Sequence, residues 1–194
     1  HLIRRRGRAD WQLTIAGDGE SLPALTRLVA ERDLCDVVDF AGWLDAAEVD
    51  ALLRHATVAI QPDLPTKMND LSTMAKTVEY LARGVPVVAA DLTETRRTAG
   101  DAAVYVPTGS PAEFAEAIDE LLDDSTLRQK MRQAALDRFT EKLAWEHQAA
   151  QYVAVWRRLL VHKLRAGSPA RALPPPAQAV LDSSASDEDT TVPL

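Results

Sequence analysis

The chain has 194 residues, 46% of them hydrophobic, and a formal net charge of −7. That length allows one domain with a proper core plus extensions, no apolar run reaches the length of a membrane span, and the acidic balance argues against a nucleic-acid-binding module, which carries a basic face. The single cysteine, Cys35, excludes an internal disulfide and a cysteine-based zinc site, so a reducing, cytoplasmic setting is expected.

The chain opens on His1, and Leu2-Ile3-Arg4-Arg5-Arg6 reads as the end of a helix, which predicts a piece cut from a longer protein. Trp11 to Ala16 reads as a strand closed by Gly17-Asp18-Gly19. Leu22, Leu25, Leu28 and Val29 then recur with helical spacing, with Pro23 suited to a first turn. Val37 to Ala41 is a second strand, closed by Gly42. Residues 45–54 read as a short helix with Asp45 as its N-cap and Val49, Leu52 and Leu53 on its buried face. Thr57 to Ile60 is a third strand, halted by Pro62 and Pro65. A helix is expected from about Ser72 to Arg83, stopping at Gly84, and strands follow at 86–89 and 103–106. Nearly all-apolar strands alternating with helices predict a parallel sheet covered on both faces, hence a doubly wound α/β fold.

Beyond Pro111 only helices are expected, at 111–123, 125–139 and about 142–164, with Ser110 and Ser125 as N-caps. From Ala166 the sequence turns to Pro174-Pro175-Pro176 and then to Ser, Asp and Glu, a composition that buries too little to order itself.

In an open parallel sheet, ligands bind at the carboxyl ends of the strands. Four loops qualify: Gly17 to Glu20, Gly42-Trp43, Gln61 to Leu71, and Asp91 to Glu94. Residues 69–90 are the most informative. A polar loop, Asn69-Asp70-Leu71-Ser72-Thr73-Met74, runs into a helix that carries Lys76 and Glu79. Free N–H groups at a helix N-terminus, two hydroxyls and an ammonium suit a phosphate, and a carboxylate further along suits ribose hydroxyls. Asp70 or Ser72 would cap that helix. A plain surface ion pair between Lys76 and Glu79 is the competing reading. Gly17 and Gly19 admit a close ligand or simply satisfy a turn; Trp43 stacks on a base or packs over a sheet edge. The third glycine of a dinucleotide fingerprint is missing. His55, His147 and His162 form no triad, and no carboxylate cluster has metal-ligand spacing.

These residues resemble the C-terminal, donor-binding domain of a GT-B glycosyltransferase of the retaining family called group 1 or family 4, over about residues 10–162. The carriers are Leu13-Thr14-Ile15-Ala16-Gly17-Asp18-Gly19, Val38 to Leu44, Val58-Ala59-Ile60-Gln61-Pro62 and, most specifically, Lys76 to Ala89. The resemblance implies a Rossmann-like domain over 1–141, truncated at its start, a crossover helix over 142–165 and a disordered tail over 166–194. It implies a nucleotide-diphosphate sugar as donor, with no cofactor and no metal. Glu79 matches the glutamate that holds the ribose, and Ser72, Thr73 and Met74 the segment whose backbone grips the diphosphate. Gly42, Trp43 and Leu44 match the loop whose main chain meets the base, and Gly17 and Gly19 the glycines lining the cleft. Two departures stand out. The family's first glutamate, which contacts the sugar, falls on Leu71, with Asp70 beside it as a candidate replacement, and the usual Gly-Phe-Gly is Ser72-Thr73-Met74. The resemblance also implies a first strand and helix and an acceptor-binding domain before His1, which would make any membrane contact. The 194 residues alone would then be inactive, with Trp156 and Leu160 exposed. A nucleotide-sugar epimerase of the same fold and a non-catalytic nucleotide-binding or scaffold domain are the alternatives.

Overall fold

A computed structural model describes residues 1–7, 10–107 and 110–165. The expected tail at 166–194 lies outside the described residues. Five strands are described: β1 (Leu13–Ala16), β2 (Val38–Gly42), β3 (Ala59–Gln61), β4 (Val87–Ala90) and β5 (Ala103–Val106), every pairing parallel. Before, between and after them run α1 (Leu2–Arg6), α2 (Leu22–Glu31), α3 (Ala46–His55), α4 (Lys67–Asp70), α5 (Ala75–Ala82), α6 (Thr93–Ala99), α7 (Pro111–Asp123), α8 (Ser125–Arg138) and α9 (Trp145–Arg165). The parallel α/β expectation holds. The ladder runs in two pieces, however: β1 bonds to β2, and β3, β4 and β5 form a separate three-stranded sheet in that order.

The three-stranded sheet is the core. Ile60, Val88 and Val104 are cross-strand partners, and on their face Val88 and Val106 pack with Ala117 and Leu121 of α7 and Met131 of α8. Adjacent residues point the other way. There Ala59 meets Leu53 of α3 and Val85, and Ala103 packs against Leu81, Ala99 and Ala135. Helices therefore cover both faces, which is why Val87 to Ala90 are apolar without alternation. The β1–β2 half is more open. Its helix α2 has a one-sided apolar stripe yet no buried residue, and Leu25 and Leu28 are exposed.

Local chemistry sets the helix boundaries. Asp45 and Glu48 form a reciprocal capping box on α3, with Asp45 Oδ1 accepting from the Ala47 and Glu48 N–H groups at 2.8 and 2.9 Å and Glu48 Oε2 accepting from the Asp45 N–H at 2.8 Å. Ser110 caps α7 as expected. The cap of α8 is Asp124 rather than Ser125: its Oδ1 accepts from the Leu127 N–H at 2.8 Å. The helix expected from Ser72 starts three residues later, and a separate single turn precedes it. Thr66 caps the single turn α4 by accepting from the Asn69 N–H at 3.1 Å, and α5 begins only at Ala75.

The end of α5 depends on one glycine. Gly84 has φ +66°, its N–H donates to Leu81 O at 3.0 Å, and the Val85 N–H donates to Tyr80 O at 2.9 Å, the two bonds of a Schellman stop. A Cβ there would stand 3.0 Å from Arg132 Cγ and 3.1 Å from Leu136 Cγ. Gly84→Ala is expected to destabilise the fold by about 2–3 kcal/mol, from the left-handed torsion plus crowding against α8; urea unfolding at constant slope measures it.

At the start of the chain, α1 is pinned to α7. Arg5 Nε donates to Asp119 Oδ2 at 2.7 Å, and Arg6 Nη1 donates to Asp119 Oδ1 at 2.9 Å and to Asp123 Oδ1 at 2.8 Å. The hydrogen bonds from Arg5 and then Arg6 hold the Asp119 carboxyl below the usual carboxylate range.

The chain divides into two units, residues 1–149 and 150 onward. Within the second, the body of α9 shows Tyr152 and Trp156 edge to face, with ring centroids 6.1 Å apart, and leaves Trp156, Leu159 and Leu160 exposed.

Candidate functional site

The turns after β1 and β2 meet. The Gly17 N–H donates to Gly42 O at 2.6 Å, with Gly17 at φ +126°, a torsion that only glycine takes without strain. That bond brings the Gly17-Asp18-Gly19 turn beside Trp43 and Leu44. The Trp43 indole is 76% exposed, so of the two expected roles, packing over a sheet edge is not the one it plays. Its face is free to stack.

Leu44 and Glu79 line one cavity of about 480 Å³, a groove between α3 and α5 also walled by Val49, Leu53, Val78 and Ala82. Leu44 enters from the end of β2 and Glu79 from the middle of α5, so two segments far apart in sequence converge here. Glu79 is exposed, and among the described residues it makes no hydrogen bond or ion pair. It does not pair with Lys76. The Lys76 ammonium instead donates to Asp63 Oδ1 at 2.8 Å, because Asp63 follows β3 directly and lies against the first turn of α5. The other oxygen, Asp63 Oδ2, is buried without a partner among the described residues. Tyr80 lies within the field of both carboxylates: burial pushes its phenol up, and the charges of Glu79 and Asp63 add to the rise.

The N-terminus of α5 is bare. Its N-cap is Met74, which has no side-chain acceptor to offer, and among the described residues nothing accepts from the backbone N–H of Ala75 or Lys76. The expected caps are engaged elsewhere. Asp70 Oδ1 accepts from the Thr93 N–H at 2.8 Å and Asp70 Oδ2 from the Thr93 hydroxyl at 3.1 Å, so Asp70 serves the start of α6. The Ser72 hydroxyl donates back to Met68 O at 2.6 Å. The Thr73 hydroxyl donates to Glu94 Oε1 at 2.7 Å. Two free amides thus remain at the positive end of a helix dipole, an arrangement that attracts an anion.

Sequence reasoning missed what holds this edge in place. Gln61, the last residue of β3, is 0% exposed. Its Nε2 donates to Thr95 Oγ1 at 2.9 Å and its Oε1 accepts from the Thr77 hydroxyl. One side chain therefore ties the first turns of α5 and α6 to the strand end. A polar residue closing an apolar strand, with threonines inside two amphipathic helices, was the only signal available. Glu94 and Asp63 lie in two of the loops expected at the strand ends but were not singled out there, because their partners Thr73 and Lys76 are distant in sequence.

The predicted residues fall into three neighbourhoods. Gly17, Gly19, Gly42, Trp43 and Leu44 cluster at the ends of β1 and β2. Leu44 and Glu79 share the groove. Asp70, Ser72, Thr73 and Met74 surround the gap between the N-termini of α5 and α6, with Lys76 in the first turn of α5 held on Asp63, while Leu71 is 68% exposed. Among the described residues no group of three or more His, Cys, Asp or Glu side chains stands ready for a metal ion, and no helix is long and apolar enough to cross a membrane.

Residues 1–124 match the family of glycosyl transferases group 1. Alpha-D-kanosaminyltransferase of Streptomyces kanamyceticus is 28% identical over 159 residues, 81% of this chain and 40% of that enzyme. Among solved structures, HepE of Anabaena in complex with UDP superposes with a TM-score of 0.66 at 16% identity over 79% of this chain and 44% of that one. The C-terminal domain of a group 1 family glycosyl transferase from Francisella tularensis does so with a TM-score of 0.61 at 21% identity over 73% of each. The chain spans about two fifths of the length of the curated relatives it matches.

Proposed function

The chain belongs to the group 1 glycosyl transferases, and on that premise we propose that it binds the nucleoside diphosphate of an activated sugar for retaining, metal-independent transfer. The observation that carries the reading is the groove that Leu44 and Glu79 line together; the uncapped start of α5 lies about one helical turn before Glu79. In this reading the base lies along the Gly42-Trp43-Leu44 turn, with the Gly17 and Gly19 turn alongside. Glu79 accepts from the ribose hydroxyls. The Ala75 and Lys76 amides receive the diphosphate, with Ser72, Thr73 and Met74 forming the wall beyond. The helix dipole and Lys76 oppose the charge that develops on the leaving diphosphate.

The acceptor side of the reaction belongs to parts of the relatives that this chain does not span, so transfer by the 194 residues alone is not expected. Turnover of a nucleotide-sugar by the isolated chain would remove that part of the reading. A nucleotide-binding or scaffold domain without catalysis is the second reading, and Leu71 in place of a carboxylate is what favours it. An epimerase would require acid–base side chains around the sugar.

Titration calorimetry with UDP, GDP and ADP tests the donor site. One of them should bind, and Lys76→Ala should weaken it modestly, by about 3- to 10-fold, since part of the ammonium's charge is already answered by Asp63. The loss should shrink as salt is raised. No binding of any diphosphate by the parent chain would leave the scaffold reading standing.

A further inference from the structure

We infer that Glu94, at the first turn of α6, supplies the carboxylate that hydrogen-bonds the hydroxyls of the donor's sugar. The inference rests on the donor-site reading above and deepens it by naming the residue that faces the sugar. It begins from the direction in which a nucleotide-sugar must lie. Glu79 and Ala75 are four residues apart on one helix, about 6 Å along its axis, the reach from a ribose to the phosphates attached to it. The sugar, bonded to the outer phosphate, then falls beyond the N-terminus of α5, against residues 71–73 and whatever contacts them.

At that place the chain's own sequence offers Leu71, which accepts no hydrogen bond from a hydroxyl through its side chain. Asp70, the adjacent candidate, has both carboxylate oxygens occupied by the Thr93 N–H and hydroxyl, and releasing them would uncap α6. The carboxylate that does reach the gap comes from the neighbouring helix. Glu94 Oε1 accepts from the Thr73 hydroxyl at 2.7 Å across the space between the two helix starts. Its side chain is only 17% exposed, and its Oε2 has just a long contact of 3.4 Å to Arg97, itself 81% exposed. That oxygen retains capacity to accept. Threonine fixes the near oxygen across the space between the two helix starts, and the far one, with only that long contact, keeps lone pairs to offer. A carboxylate so held recognises vicinal hydroxyls by accepting from them, and its charge strengthens each bond over a neutral one.

The test compares, for each nucleotide, the affinity of the sugar form with that of the bare diphosphate: UDP-glucose against UDP, GDP-mannose against GDP, ADP-glucose against ADP. The parent chain should hold one sugar form about ten-fold more tightly than its diphosphate. Glu94→Gln and Glu94→Ala should erase that advantage while changing the affinity for bare diphosphate by no more than about two-fold. Glu94→Gln keeps an acceptor for Thr73, so the fold is preserved, and Arg97→Ala, which removes only the exposed ion-pair partner, should leave the advantage intact. An advantage that survives both Glu94 variants, or vanishes equally in Arg97→Ala, overturns the assignment. Diphosphate bound with no sugar advantage in the parent overturns it while sparing the donor site. No diphosphate bound at all overturns both.

Discussion

Gln61→Ala is expected to lower the unfolding free energy by about 3–5 kcal/mol, and to do so without altering the surface of the protein. Gln61 is fully buried, and its amide engages two hydroxyls, of Thr77 and Thr95, that are 1% and 3% exposed. Truncation removes the atoms that fill the space between β3 and the two helices, and strands both hydroxyls away from water. Each stranded group costs about 1–3 kcal/mol, and the cavity adds to that. Gln61→Leu should separate the two contributions, because it restores volume and leaves the hydroxyls unpaired. The combination Gln61→Leu with Thr77→Val and Thr95→Val should then recover most of the loss, since removing all partners of a buried network leaves nothing unsatisfied. Urea midpoints at constant slope decide the matter. A triple variant as unstable as Gln61→Leu alone would show that the network contributes shape rather than bonds.

Glu79→Ala should weaken nucleoside diphosphate binding about 10- to 100-fold and leave stability within about 0.5 kcal/mol of the parent. The asymmetry follows from its surroundings. Glu79 is exposed and makes no bond among the described residues, so the folded state gains nothing measurable from it. A ribose placed in the groove would offer two hydroxyl donors to an otherwise idle carboxylate. The argument is checked by removing the hydroxyls instead. A 2′,3′-dideoxy nucleotide should bind the parent as weakly as the ordinary nucleotide binds Glu79→Ala, and it should bind the variant no more weakly still. Additive losses would place the carboxylate away from the ribose.

Those experiments probe residues of two kinds, and the difference explains what the sequence disclosed. Positions read by local rules came out close to expectation. Apolar runs ended where Gly17 and Gly42 close β1 and β2, and Asp45 with Glu48 built the cap of α3. The stop at Gly84 followed from the glycine itself. Positions governed by partners distant in sequence did not. Asp70 and Ser72 are good caps for a helix beginning at 72, yet Asp70 is drawn to Thr93 and Ser72 to Met68, and α5 starts later without a side-chain cap. Lys76 and Glu79 have the spacing of a helical ion pair, but Asp63 offers a less exposed partner for the ammonium. The helix α6 carries three threonines in seven residues, weak helix formers, and is held by the burial of Thr95, Thr98 and Ala99. Legibility therefore ended where tertiary contact overrode local preference. The residues proposed for the donor site lie largely beyond that line, which is why the particular partners of Gln61, Asp63 and Glu94 emerged only from the fold.

The division of the ladder between β1 and β3 has a practical bearing on how the chain behaves in a tube. Among the described residues the flank of β1 away from β2 bonds to no strand; such a flank seeks an extended partner, and Leu13, Thr14 and Ile15 carry no charge that would repel one. Two copies meeting along that flank could satisfy each other, so light scattering from purified material should rise with concentration. The same flank, shielded by an additional strand, would cease to be adhesive, and the half of the domain bearing the Gly17 and Gly42 turns would stiffen with it.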